Sequence, residues 1–223
     1  MKGFYYLLGA VAIGGGVALW YGAQRPAGTA PRGTAPPGSA TPVAATDGFR
    51  GFTLGSDTAR VEVTEYSDFE CPFCAQFGTV QMPVIREQLI ATGRVRWRFR
   101  DFPLSGHQYS RYAALVAQCA GEQGRFWEMH DQLFFHHQWA QTGKNPRGLF
   151  RDFAKQAGLD LAKYDACVNA QRYDGRIQAS VEEGTALGVS GTPTFFVNGR
   201  RYGGRSTSDA FKAVADSITK SRK

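Results

Sequence analysis

The chain is short of the residues that hold metal ions. Its 223 residues include four cysteines and four histidines. A zinc knuckle built on Cys71-Pro72-Phe73-Cys74 needs a second close pair of Cys or His, with histidines spaced by roughly three to five residues. His136 and His137 are adjacent, and His107 and His130 read as a loop residue and a helix-surface residue, so no metal site is expected. Internal repeats are absent too, which argues against a solenoid or a propeller. The apolar share, 43% hydrophobic and 13% aromatic, supports one packed core and is too small for two ordinary ones. Acidic residues are outnumbered, 19 against 26 basic, for a net charge of +7. Such an excess raises nucleic acid as a partner. Part of it lies before Gly51, however, where Lys2, Arg25, Arg32 and Arg50 face only Asp47. The densest basic run, Arg94 to Arg100, alternates charged and apolar residues and reads as a strand with one wet and one buried face. No nucleic-acid partner is expected.

The N-terminus sets the compartment. Phe4 to Ala23 carries no charge and includes Leu7, Leu8, Val11, Ile13, Val17, Leu19 and Trp20, so residues 1–23 are an export signal or a single-span membrane anchor. The uncharged length suits a spanning helix, and Tyr21 is badly placed for a cut after Ala23. Val43-Ala44-Ala45 offers a cleavage site far from the apolar core. An uncleaved anchor is the favoured expectation, with the glycines at 14–16 weakening insertion. Residues 24–47, rich in Pro, Gly, Ala, Ser and Thr, read as a flexible tether, and the folded domain is expected over 48–223.

Within the domain, Arg60 to Tyr66 reads as a central strand ending near Ser67. From Cys71, the apolar positions Phe73, Phe77, Val80, Val84, Ile85 and Leu89 fit a helix that runs through Pro83, kinking there, and ends at Thr92-Gly93. Val95 to Phe99 is a second strand. Tyr109 to Leu187 is helical in pattern, with breaks at Gly121, Gly124, the Thr142-to-Arg147 loop, Gly158 and Gly175, so a helical insertion is expected over about 106–188. Thr194 to Val197, the turn Asn198-Gly199 and Arg200 to Tyr202 read as a hairpin, and a last helix spans about Ser208 to Lys220. This order gives an α/β fold with a mixed central sheet flanked by helices.

Cys71 and Cys74 fall at the strand-to-helix junction. A thiol in the first turn of a helix meets unpaired backbone N–H groups and the positive end of the dipole, which favour the thiolate. Cys71 is the expected nucleophile. Cys74, about one turn on, can close a disulfide with it and resolve a mixed disulfide. Pro72 suits the first turn, where its missing N–H costs little. Far along the chain, Gly191-Thr192-Pro193-Thr194 places a proline just before an apolar strand, a setting in which a cis bond is expected.

Glu65-Tyr-Ser-Asp-Phe-Glu-Cys-Pro-Phe-Cys74, Arg100-Asp-Phe-Pro-Leu104, the helical insertion and Gly191-Thr-Pro-Thr-Phe-Phe-Val-Asn-Gly199 together resemble the DsbA-like branch of the thioredoxin superfamily, from about Phe52 to the C-terminus. The resemblance implies a thioredoxin-like fold and protein thiol-disulfide exchange without metal or organic cofactor. It assigns Cys71 as the attacking cysteine, Cys74 as the resolving one and Pro193 as the cis proline facing them. Thr192 becomes the residue whose backbone pairs with an extended substrate, beside the Pro72-Phe73 dipeptide. Glu65 becomes a buried proton acceptor for Cys74, the alternative being a solvated strand-end carboxylate. Pro72-Phe73 lacks the histidine of the best-known DsbA and so one donor near the thiolate. Cys119 and Cys167 resemble a second, structural disulfide of some members. Closing that loop of about 49 residues contributes roughly 4 kcal/mol in the chain-entropy view; the alternative is two buried thiols. The implied partners are reduced secreted or periplasmic proteins and a quinone-linked membrane thiol oxidase, with the chain itself a monomer. Two other activities stay open: an isomerase or reductase using the same site, and an idle peptide-binding or chaperone module.

Overall fold

The computed structural model describes residues 48–221. The expected anchor and tether over 1–47 lie outside them. Among the described residues no helix is long and apolar enough to cross a membrane. Strands β1 (Phe52–Leu54), β2 (Val61–Ser67), β3 (Val95–Asp101), β4 (Thr194–Val197) and β5 (Arg200–Arg201) form one sheet in the order β1-β3-β2-β4-β5. β2 and β3 are parallel, Val61 opposite Val95 and Ser67 opposite Asp101, and the other pairs are antiparallel. Parallel neighbours need a crossover, which the helical run α1 over 72–90 supplies. The β4–β5 turn has φ 47° at Asn198 and 77° at Gly199, the two positive values that an Asn-Gly hairpin turn requires. β1 was not expected. Three residues are too few to show alternation, and its place is fixed by pairing, Phe52 opposite Phe99.

Period-two alternation sorts the side chains of β2. Val61, Val63, Glu65 and Ser67 share one face with Val95, Trp97 and Phe99 of β3. Phe77, Met82, Ile85 and Leu89 of α1 and Phe211 of α7 (Ser208–Lys220) are buried in the core on this face. Full burial of each such side chain stabilises by about 1.5–3 kcal/mol. α1 does run through Pro83, as expected. Pro83 has no N–H to offer the carbonyl of Thr79, and the preceding turn widens: Phe77–Gln81 is π-helical, with Met82 N–H donating to the carbonyl of Phe77. A second π turn, Arg86–Ile90, completes the run.

The opposite face corrects an expectation. Arg98 and Arg100 are buried, not wet. Arg98 pairs with Glu62 at 2.5 Å and donates to the Arg50 carbonyl at 3.0 Å; Arg100 pairs with Glu183 and donates to the Phe49 carbonyl at 2.9 Å. The segment at 49–50 and α6 (Asp174–Ala186) thus cover the arginine face and, with Glu62 of β2, supply the partners that buried guanidinium groups need. Gly184 permits the close approach of α6, since a Cβ there would lie 2.7 Å from the Phe102 ring.

Between β3 and β4 come α2 (Ser110–Glu122), α3 (Phe126–Phe135), a short 3₁₀ helix (His137–Gln141), α4 (Arg147–Gln156), α5 (Leu161–Asn169) and α6. Gly175 is no break, because it lies in the first turn of α6. The chain breaks just before it, around Gln171, whose φ of 48° ends the preceding helix. His130 is buried, not on a helix surface, and packs against Phe69, Phe99, Trp127 and Phe134. Cys119 of α2 and Cys167 of α5 are joined by a buried disulfide.

Candidate active site

β2 ends at Ser67, and a tight turn delivers Cys71 to the start of α1. The turn is tied by Asp68. Its carbonyl accepts Cys71 N–H at 3.1 Å, and its side chain accepts Glu70 N–H at 2.8 Å and Leu104 N–H at 2.9 Å. Cys71 is the N-cap of α1, extended at φ −73° and ψ 123°, with Pro72 as the first helical residue. A serine or aspartate there would accept hydrogen bonds from N–H groups of the first turn. The Cys71 thiol makes no such cap bond, but once ionised its sulfur can accept from the backbone N–H groups of Phe73 and Cys74.

Several groups hold the Cys71 thiol down to about 5, far below its ordinary value. The Cys74 thiol donating to the Cys71 sulfur is the largest. Burial opposes it, and Thr192 together with the backbone N–H groups of Cys74 and Phe73 adds to it. Cys74 goes the other way. Burial pushes it well above the usual thiol range, and the neighbouring Cys71 adds to the rise. Both are thiols here, Cys71 nearly covered and Cys74 fully buried.

Pro193 follows a cis bond from Thr192, and Cys71 Sγ lies 3.4 Å from the Thr192 carbonyl oxygen, to which the thiol donates. Two segments 121 residues apart therefore meet at the nucleophile. Pro72 and Phe73 are exposed. Phe73 lines a groove with Phe77, Val80, Pro193 and Thr207. A charged cavity walled by Glu62, Arg98, Arg100 and Glu183 lies on the opposite face of the sheet.

Glu65 is buried, so it is not a solvated strand-end group. It sits opposite Phe99 and Phe195 in the sheet and accepts a hydrogen bond from Trp97 Nε1 at 2.9 Å. Burial pushes its carboxyl up to about 7, against the opposing pull of Ser67, Trp97 and Arg86. Ser67, two residues on and on the same face, also acts on Cys74. Among the described residues no group of three or more His, Cys, Asp or Glu side chains could hold a metal ion.

Three residues near the nucleophile escaped the sequence analysis. Asp68 shapes the turn, His107 Nδ1 lies 2.7 Å from Asp68 Oδ2, and His137 borders the backbone of Glu70. The two histidines stand 36 and 66 positions from Cys71 in the helical insertion, and nothing in the local sequence around either points to the cysteines.

A family model described as thioredoxin matches residues 49–217. The chain belongs to the DsbA-like branch of the thioredoxin superfamily. The DsbA-like fold is shared with oxidised BdbD from Bacillus subtilis, at a TM-score of 0.69 and 24% identity over 75% of this chain and 92% of that one. It is shared too with the reduced disulfide bond oxidoreductase DsbG from Mycobacterium tuberculosis, at a TM-score of 0.62 and 27% identity over 75% and 86%. In sequence the chain is 42% identical to a Na(+)/H(+) antiporter, NhaA 3 of Salinispora tropica, over 74% of this chain and 24% of that protein. The DsbA-like chain thus spans about a quarter of the length of the antiporter relatives it matches.

Proposed function

We propose that the chain is an extracytoplasmic thiol-disulfide oxidase that introduces disulfides into reduced exported proteins. The observation that carries this is the asymmetry of the two cysteines. One is a stabilised thiolate at the helix start and the other a buried, reluctant thiol. A substrate thiolate attacks Cys71 Sγ of the oxidised pair, the Cys71–Cys74 bond breaks, and Cys74 leaves with the electron pair and takes a proton. Glu65, poised near neutrality, supplies that proton and recovers it when the pair is re-oxidised. A second substrate thiolate then attacks the substrate sulfur of the mixed disulfide and expels Cys71. A low-pKa thiol is a good leaving group, which favours this direction. Two electrons pass from the substrate dithiol to the enzyme. Thr192 and the groove beside Phe73 would hold an extended substrate against Cys71.

Re-oxidation falls to a quinone-linked membrane thiol oxidase, and residues 1–23 tether the domain to that membrane. The matching segment in proteins named as antiporters supports a membrane setting. The first alternative is an isomerase or reductase on the same residues, since the names of the structural relatives state no direction of exchange. Oxidation of a reduced, unfolded protein, measured beside insulin reduction and rescue of a scrambled substrate, separates them. Fast oxidation with slow reduction and little rescue is expected. In the same assay Cys71→Ser abolishes turnover and Cys74→Ser accumulates mixed disulfides. Either variant matching wild type contradicts the proposal.

A further inference from the structure

The dipeptide between the cysteines carries no histidine, yet the structure brings a histidine of the insertion to the turn that leads into the nucleophile. His107 lies in the loop after β3 and is bonded to the buried carboxylate of Asp68 at 2.7 Å. Asp68 also accepts Leu104 N–H and Glu70 N–H, while its carbonyl accepts Cys71 N–H. A second acidic residue of the same turn, Glu70, accepts Tyr109 N–H at 2.6 Å. Two carboxylates from the turn before the cysteine therefore clamp the loop 104–109, and His107 is fixed two hydrogen bonds from the Cys71 backbone.

We propose that His107 is a positioning residue for Cys71, its Asp68-held imidazolium stabilising the thiolate and so making the disulfide a stronger oxidant. The inference rests on the thiol-disulfide reading above. His107 is in contact with Asp68, and the charges of Glu70 and Cys71 in the same turn act on it through space. Burial disfavours its charge, but the Asp68 hydrogen bond and charge, then Glu70 and the Cys71 thiolate, outweigh it and raise its proton affinity. His137, from the 3₁₀ helix, faces the same three residues. Burial wins there and lowers its proton affinity. Arg111, the nearest cation along α2, is committed to Asp174 and Gln178 of α6. His107 thus takes over the part of the missing inter-cysteine histidine.

In the redox equilibrium, the enzyme disulfide and two glutathione thiols give oxidised glutathione, the Cys74 thiol, the Cys71 thiolate and one proton. Anything that stabilises that thiolate moves the equilibrium toward the reduced enzyme. The benefit exists only while both charges exist. It appears as pH rises through the Cys71 value of about 5 and fades as pH rises through that of His107.

The test measures that equilibrium and the thiolate absorbance titration of Cys71 for wild type, His107→Ala, His107→Gln and His107→Lys across pH 4 to 9. Gln keeps a donor for Asp68 but no charge, and Lys keeps a charge. Ala and Gln are expected to cut the equilibrium constant roughly three- to tenfold at pH 6 and raise the Cys71 pKa by up to about one unit, a factor of ten. Lys is expected to stay nearer wild type, and the difference should vanish at pH 9. Gln behaving as wild type, or a deficit independent of pH, would overturn the inference and leave His107 a structural clamp. A wild-type protein that does not exchange with glutathione would instead overturn the functional proposal beneath it.

Discussion

Glu65 holds the sharpest conflict at the scale of one residue: a carboxyl placed in the sheet interior among Trp97, Phe99 and Phe195. Its pKa is raised by burial, so between about 4.5 and about 7 the native state binds more protons than the unfolded chain. Stability from this group is therefore fully present below about pH 4.5 and is lost as pH rises through about 7. In the oxidised protein, where Cys71 does not titrate, wild type is expected to lose about 3 kcal/mol more than Glu65→Gln between pH 4 and 8. Urea unfolding at each pH reads this directly, and parallel curves would contradict it. The same variant should slow formation of the mixed disulfide, the step in which Cys74 leaves and takes its proton, about a hundredfold, the low end of a general acid–base contribution. The residue was legible in part. Its position before Cys71 and its resemblance suggested burial, whereas the aromatic residues around it come from β3 and β4, which only the folded sheet brings together.

At the scale of elements, β3 shows what alternation conveys and what it hides. Val95, Trp97 and Phe99 announce one buried face, and the structure has it. The arginine face looked solvated because its cover, the segment at 49–50 and α6, is remote in sequence and carries no local signature. Arg100→Met should leave Glu183 unpaired beside a closed face and destabilise by about 3 kcal/mol, the lower end for breaking a buried pair. A denaturant midpoint unchanged within error would show the pair to be dispensable. β1 was hidden by its brevity and the π turns of α1 by their dependence on packing. The active-site helix start, the hairpin and the last helix were plain, because a Cys-Pro junction, an Asn-Gly pair and a capped amphipathic run are local signals. His107 illustrates the limit at the site itself: the Asp68 that binds it is encoded 39 residues earlier.

For the whole molecule, two cysteine pairs divide the work. Cys119–Cys167 is buried inside the insertion with a sequence separation of 48. Replacing both with Ala is expected to lower stability by up to about 4 kcal/mol and to leave exchange rates within about twofold, because the bridge is shut off from substrate thiols. A large loss of turnover without loss of stability would make that pair an electron relay. Cys71 and Cys74 behave differently. Their cross-link closes a loop of about four residues and is worth about 2 kcal/mol of chain entropy. Against it, the Cys71 pKa is held at about 5 in the fold and is near 9 when unfolded. The reduced protein therefore gains stability that is complete above about pH 9 and lost as pH falls through 5, roughly 3 kcal/mol of it at pH 7. The two effects nearly cancel, with the thiolate slightly ahead, which is the condition for an oxidant. The deciding measurement is a pair of melting curves at pH 7 for the two active-site redox states, verified by thiol labelling with Cys119–Cys167 intact in both. The reduced protein is expected to melt at or above the temperature of the oxidised one; an oxidised form more stable by several kcal/mol would contradict the oxidase assignment.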